Sequence, residues 1–182
     1  MHAGPNEHIV SELSGSTPGN ALDAGCGRGL DAIWLSKQGW RVTAVDISEL
    51  ALNQAKSLAE AAGVSVDFER VDLTAWLPPK NHFDLVLSHH VHTTDDRSYV
   101  SRISRAVKPG GILMIIGHQP PGHGEKDLYA QGSHITVKEI SSFLDSDDWE
   151  IEIAEARKVT SKSSDHHHSL SNSVLKARRR KL

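Results

Sequence analysis

Asp23 and the glycines behind it combine residue types suited to holding a ligand. Ala21-Leu22-Asp23-Ala24-Gly25-Cys26-Gly27-Arg28-Gly29 runs from an apolar stretch into an acid, then into three glycines at alternate positions. Glycine tolerates φ > 0 and has no Cβ, so this backbone can pass close to a ligand with its N–H groups pointing outward. A carboxylate placed here repels a pyrophosphate and pairs with a cationic amino-acid ligand. Three further polar residues end apolar runs: Asp46 after Val45, Asp72 after Val71, and Ser88 after Leu87. Asp46 is suited to accept both hydroxyls of a ribose, the role an acid plays at that strand tip in dinucleotide folds. The other candidates are imidazoles. Among twelve histidines, His89, His90 and His92 crowd together after one apolar run and His118 follows another. Neutral imidazole serves as a base or as a metal ligand.

The elements that must position these residues alternate between strand and helix patterns. Glu7 to Leu13 reads as a short leading helix, and Ala21–Asp23 closes a first strand. Leu30 to Lys37 is a helix ended by Gly39, and Arg41 to Val45 is a β-branched second strand. Ser48 caps a helix whose Leu52, Ala55, Ala59 and Ala62 recur at helical spacing up to Gly63. Val64 to Val71 alternates as a third strand would, and Phe83 to Leu87 is a short fourth. A helix from about Asp95 to Val107 precedes the turn Pro109-Gly110-Gly111 and the buried fifth strand Ile112 to Ile116. Gly117 to Ser133, rich in Gly, Pro and His, reads as a functional loop. Val137, Ile140, Phe143 and Leu144 mark another helix, and Trp149–Val159 with Leu170–Ala177 a terminal strand pair. The expectation is an α/β fold: a doubly wound, mostly parallel sheet of five βα units with a C-terminal antiparallel hairpin. Ligands then sit outside the carboxyl ends of the strands, where Asp23, Asp46, Asp72 and Ser88 all fall.

Two ligand classes use a glycine-rich turn between strand and helix, dinucleotides and S-adenosylmethionine (SAM). The dinucleotide fingerprint G-x-G-x-x-G/A requires a small third residue, and Leu30 stands there. With Asp23 before Gly25-x-Gly27-x-Gly29, the chain resembles the class I SAM-dependent methyltransferases, whose first motif is (D/E)-x-G-x-G-x-G. The likeness extends over roughly residues 6 to 178. Within the family the chain is similar to small bacterial enzymes of the tellurite-resistance and thiopurine type, through Pro5-Asn6, Trp34-Leu35 and Ser173-Val174-Leu175-Lys176-Ala177-Arg178.

The resemblance implies Asp23 near the methionine ammonium, Gly25 to Gly29 around the methionine part, Asp46 on the ribose and Asp72 on adenine. Cys26, Arg28, Ile47, Leu73 and Ser88 complete the cofactor-binding set, Cys26 reading as a small packing residue rather than a nucleophile. SAM goes to S-adenosylhomocysteine. The protein's share of methyl transfer is mainly alignment and exclusion of water, so cofactor motifs say little about the acceptor. Thiol, amine, hydroxyl and chalcogen oxyanion all stay open. His89, His90 and His118 are the candidate catalytic bases, and no metal site is assigned. His166 to His168 join the same rim if Trp149–Val159 runs parallel to the main sheet, while His123 and His134 receive no role. A non-catalytic SAM sensor and a metal-binding protein on the same fold remain alternatives.

Composition sets the outer bounds. A chain of 182 residues, 38% hydrophobic and 24% charged, fits one globular domain spanning 1–182. A net charge of −3 offers no bulk attraction to nucleic acid. The signatures of DNA amino- and cytosine-methylating enzymes are missing: Ser88-His89-His90-Val91 replaces the first, and the one cysteine, Cys26, lies in the glycine loop. The Arg178 to Lys181 tail reads as a solvated terminus. Neither a secretory signal nor an apolar run of ~20 residues is visible, so the expected setting is cytoplasmic, off the membrane, as a monomer or homodimer acting on a small molecule.

Overall fold

The computed structural model describes residues 4–119, 135–158 and 171–181. In chain order the elements are α1 (Glu7–Leu13), β1 (Asn20–Ala24), α2 (Leu30–Lys37), β2 (Arg41–Asp46), α3 (Glu49–Ala61) and β3 (Asp67–Arg70). They continue with β4 (Phe83–His89), α4 (Asp96–Ser104), β5 (Val107–His118), α5 (Val137–Ser142), β6 (Trp149–Lys158) and β7 (Ser171–Arg179). The strands form one seven-stranded sheet in the order β3-β2-β1-β4-β5-β7-β6. β1 to β5 pair in parallel, and β7 runs antiparallel to both β5 and β6. The expected doubly wound sheet with its terminal antiparallel pair is therefore present.

Its central strands are mostly apolar because helices cover both faces, with polar residues gathered at their ends. Along β4, Leu85 and Leu87 join Ile9 and Leu13 of α1 and Ala32 and Leu35 of α2. Val86, between them, points the other way into a cluster with Tyr99, Val100 and Ile103 of α4 and Ile140 of α5. That alternation decides which side each residue at the strand end serves. Ser48 caps α3 as expected, accepting from Ala51 N–H, and Thr136 with Glu139 forms a reciprocal capping box on α5.

Five local expectations change. No helix lies between β3 and β4, so the third βα unit is missing; Pro78-Pro79 supply no N–H donors in that connection, which turns without helix. β3 begins at Asp67 rather than Val64, and α4 stops at Ser104. Pro109-Gly110-Gly111 lies within β5 as a wide bulge: Phe83 pairs with Val107, then Leu85 with Ile112, and Gly110 has φ 82°. The basic tail is a solvated terminus only in its second half, where Arg180 and Lys181 are exposed. Arg178 and Arg179 belong to β7 and donate to the carbonyls of Gly110 and Val107, and Arg180 donates to that of Ser146.

β6 runs parallel to the main sheet, since both it and β5 oppose β7. The exit of β6 and the entry of β7 thus lie on the ligand edge, beside His118, which pairs with Asn172. His123, His134, His166, His167 and His168 lie outside the described residues, as does most of the Gly117 to Ser133 loop. Among the described residues no helix is long and apolar enough to cross a membrane.

Candidate functional site

β1 ends in the glycine loop, and the loop's hydrogen bonds turn inward. Gly25 and Cys26 N–H both donate to Val45 O at 2.8 and 2.9 Å, Gly27 N–H to Asp46 Oδ2 at 2.8 Å, and Gly29 N–H to Cys26 O at 2.8 Å. The sequence suggested amides facing outward as a cradle; the structure corrects this. A loop that spends these donors on its own fold cannot offer them to a pyrophosphate. The three glycines are needed for shape, with φ of 81°, 52° and 73°. A Cβ on Gly25 would strike Val91 Cγ2, and one on Gly29 would stand 2.9 Å from Ala55 Cβ and 3.1 Å from Phe68. A Cβ on Gly27 meets nothing within 4 Å. Gly27 faces the open side, whereas Gly29 lets helix α3 and strand β3 close on the loop.

Asp23 lies under this loop, 1% exposed, and its Oδ2 has no hydrogen-bond partner among the described residues. Burial raises its pKa well above the usual carboxylate value, and the nearby Asp31 and Asp46 add to the shift against a hydrogen bond from the Ala32 amide. A buried, unpaired acid among acids calls for a cation. Asp46, at the tip of β2, divides its carboxylate: Oδ2 accepts from Gly27 N–H and Oδ1 from Ser48 N–H, both at 2.8 Å. A carboxylate has about four acceptor positions, so capacity remains for a ribose diol. Asp72 is exposed and accepts from the Thr74 hydroxyl and amide through Oδ1 alone; those bonds, the hydroxyl's first, hold its pKa low. Leu73 Cδ1 comes within 3.6 Å of where a Gly25 Cβ would stand, and Ile47 is 58% exposed beside Asp46. Arg28 is exposed on the loop. Cys26 is half-buried and its thiol is pushed up by burial, then by Asp23 and Asp46, so it packs rather than attacks.

Ser88 does not line the site with its side chain. It is 2% exposed, and its hydroxyl pairs with Tyr99 OH at 2.8 Å under α4. Strand alternation sends Ser88 to the α4 face and its neighbour His89 to the other, where α1 and α2 pack.

His89 is held from both ends. Asn6 caps α1 by accepting His8 N–H through Oδ1, which fixes the amide so that Nδ2 donates to His89 Nε2 at 2.9 Å. His89 Nδ1 then carries the proton and donates to Asp31 Oδ2 at 2.8 Å, while Asp31 Oδ1 accepts Asn6 N–H at 2.7 Å. His90 has φ 52°, and its Nε2 donates to Asn172 Oδ1 at 3.0 Å. Burial, then the charges of His89 and His118, lowers its pKa to about 3, so it is a poor base at neutral pH. His118 is 8% exposed. The rings stack face to face: His90 on His118 with centroids 3.8 Å apart, and His92 on His118 at 5.5 Å, with His89 tilted against His90 at 4.3 Å. No group of three or more potential ligands that could hold a metal ion exists among the described residues. Asn6, Asp31 and Asn172 escaped the sequence reading; the signals present were a helix-capping Asn and polar residues on otherwise apolar faces of α2 and β7.

Residues 21–111, half of the chain, match the family model described as Methyltransferase domain. A ubiquinone biosynthesis O-methyltransferase of Paramagnetospirillum magneticum is 35% identical over 115 residues, 62% of this chain and 45% of that protein. Ribosomal RNA small subunit methyltransferase C of Alcanivorax borkumensis is 28% identical over 56% of this chain and 33% of its own length. The chain thus spans less than half the length of these curated relatives. In three dimensions, TehB from Haemophilus influenzae superposes over 100% of this chain and 64% of its own with a TM-score of 0.77 at 17% identity. The cyclase SpnF does so over 97% and 80%, also with a TM-score of 0.77, at 18% identity. Those two likenesses bear on the fold. The matched segment contains Asp23, the inward-turned glycine loop and Asp46, and the chain belongs to the class I SAM-dependent methyltransferase family.

Proposed function

We propose that residues 1–182 act as one cytoplasmic methyltransferase domain that moves the methyl group of SAM to a small-molecule acceptor. When bound, SAM supplies an electrophilic methyl on a sulfonium. The observation that carries this reading is Asp23, a buried acid with an unpaired Oδ2 beside a loop whose Gly25, Cys26, Gly27 and Gly29 amides are already spent. A cationic amino-acid group fits that place and a phosphate does not. Asp23 then anchors the ammonium, Gly27 admits the methionine part, Asp46 accepts the ribose hydroxyls, and Asp72 with Ile47 and Leu73 bounds the adenine.

The histidines at the end of β4 act by shape more than by proton transfer. His90 is held neutral, and the Nε2 lone pair of His89 is occupied by Asn6. The domain's contribution is to align the acceptor and exclude water, a share of the barrier worth about 7–11 kcal/mol in well-oriented reactions. The relatives named for ubiquinone biosynthesis support a small-molecule acceptor; the relative named for ribosomal RNA makes RNA the contrasting case. The placement with tellurite-resistance and thiopurine enzymes rests on the sequence resemblance alone.

An acceptor screen that follows S-adenosylhomocysteine decides the matter. Phenols, thiols, amines, selenium and tellurium oxyanions and a ribosomal RNA fragment are offered in turn. Turnover on a small molecule is expected. Turnover on RNA alone contradicts the acceptor class, and SAM binding without any turnover supports a sensor instead.

A further inference from the structure

The edge of the sheet opposite the cofactor residues holds a cavity of its own. There β1 and β4 begin, at Asn20 and Phe83, and β7, antiparallel to β5, ends at Arg179. The cavity has a volume of about 700 Å³, within the roughly 300–1,000 Å³ of small-molecule sites. Its walls come from stretches far apart in sequence: the α1–β1 connection around Ser16 and Thr17, Trp40 before β2, Asp84 of β4, the bulge of β5, and Arg178 with Lys181. The bulge shapes one wall. Between the Phe83–Val107 and Leu85–Ile112 pairs, β5 carries extra residues that leave the ladder, and Pro109-Gly110-Gly111 among them line the cavity.

The lining is rich in donors and short of acceptors. Trp40 is 4% exposed and its Nε1 has no hydrogen-bond partner among the described residues, whereas a buried indole N–H ordinarily finds an acceptor. Ser16 and Thr17 bring hydroxyls. Arg178 braces the bulge, with Nη1 donating to Gly110 O at 3.1 Å and Nε to Glu152, and its guanidinium has donors beyond those contacts. Lys181 lays its stem over Gly110, where a Cβ would stand 2.8 Å from its Cε, and its ammonium makes no ion pair among the described residues. The carboxylate of the lining, Asp84, is already committed. Lys108 Nζ donates to both its oxygens, at 3.0 and 3.1 Å, and Asn20 N–H donates to Oδ2 at 2.8 Å. The charge left over at this wall is therefore positive.

We propose that this cavity is a second binding site, remote from the cofactor, for a small organic oxyanion bearing a carboxylate or a phosphate. Its oxygens pair with Lys181, take hydrogen bonds from Arg178 and the Ser16 and Thr17 hydroxyls, and give the Trp40 Nε1 donor its missing acceptor. The volume exceeds what a bare phosphate fills, so the oxyanion is carried on a small organic molecule. A cation meets Lys181 and Arg178 at this wall and finds the one lining carboxylate, Asp84, already paired.

NMR titration of the isotope-labelled full chain tests this, at low salt because exposed charges are screened as ionic strength rises. The probes are succinate and glycerol phosphate, with succinamide and glycerol as their uncharged counterparts. At least one anion is expected to bind saturably, shifting the Trp40 indole N–H and the amides of Ser16, Thr17, Gly110 and Gly111 while leaving those of Gly25 and Gly27 unmoved. Succinate alone would make it a carboxylate site and glycerol phosphate alone a phosphate site, and either result upholds the proposal. Lys181→Gln should weaken the binding about threefold to fivefold, the upper range for an exposed ion pair. Trp40→Phe, which keeps a ring in the wall, should weaken it about tenfold, the scale of a hydrogen bond to a charged group. Because Lys181 is exposed and holds no other element in place, its variant keeps the test decisive if the Trp40→Phe protein fails to fold. The site is overturned if neither anion gives a saturable shift, if the uncharged counterparts bind as well, if the shifts fall on the glycine loop instead, or if Lys181→Gln binds like the wild type.

Discussion

Asp23 works against the fold that carries it. Its pKa is raised in the folded protein, so the folded chain holds that proton more tightly than the unfolded one. Its favourable contribution is complete below the unfolded value near 3.8 and is lost as pH rises toward the raised folded value, where the ionised group has to be buried. Asp23→Asn should therefore stabilise the cofactor-free protein at neutral pH, on the order of 1 kcal/mol, measurable as a higher Tm. The same change should weaken SAM by about 1.5–3 kcal/mol, the scale of a hydrogen bond to a charged group. SAM affinity should also rise with pH through the titration of Asp23, and the asparagine variant should lose that dependence. A less stable Asp23→Asn protein with normal SAM affinity would contradict the assignment. Asp46→Ala should also cost SAM binding about 1.5–3 kcal/mol, with a further loss from the freed Gly27 amide, again read by calorimetry. Both acids were legible in the sequence because each ends an apolar strand. Asn6 and Asp31 were not, because they meet His89 across 83 and 58 residues of chain, a pairing that appears only when α1 and α2 pack on the same sheet face.

At the scale of elements, the glycine loop divides into one residue that opens to the ligand and one that closes the core. Gly27→Ala and Gly29→Ala both place a side chain at positive φ, costing about 1–2 kcal/mol. Gly29→Ala also pushes a methyl group against Ala55 and Phe68, and overpacking of that kind adds about 1–3 kcal/mol. Denaturant unfolding should show Gly29→Ala as clearly the less stable variant, with Gly27→Ala losing SAM affinity more than stability. Equal losses of stability would mean that the packing argument is wrong. The loop's start and end could be read from Asp23 and Leu30, but the direction of its amides could not, since Gly27 N–H is taken by an acid nineteen residues away. The missing helix after β3 and the bulge at Pro109-Gly110-Gly111 were misread for a related reason: prolines and glycines mark a break in pattern without saying whether a turn, a bulge or a coil replaces it.

For the whole molecule, one sheet with helices on both faces brings β1, β2, β4 and β5 to a common edge, and cofactor and acceptor must share it. A ligand that binds only the folded state stabilises it by RT ln(1 + [L]/Kd), about 2.7 kcal/mol at a hundredfold excess over Kd, so saturating SAM should raise Tm by roughly 5–10 °C. The mostly parallel sheet and its ligand edge were legible from the alternation of apolar runs, the order of its strands was not; nor were the stacked histidines, since their stacking depends on the left-handed turn at His90 and on His118 of β5. The central claim is that this edge holds a cationic amino-acid cofactor rather than a dinucleotide. Calorimetric titration of the wild-type protein with SAM and, separately, with NAD tests it most directly. The account predicts saturable one-to-one binding of SAM with no heat of binding for NAD; tight binding of NAD without binding of SAM would contradict it.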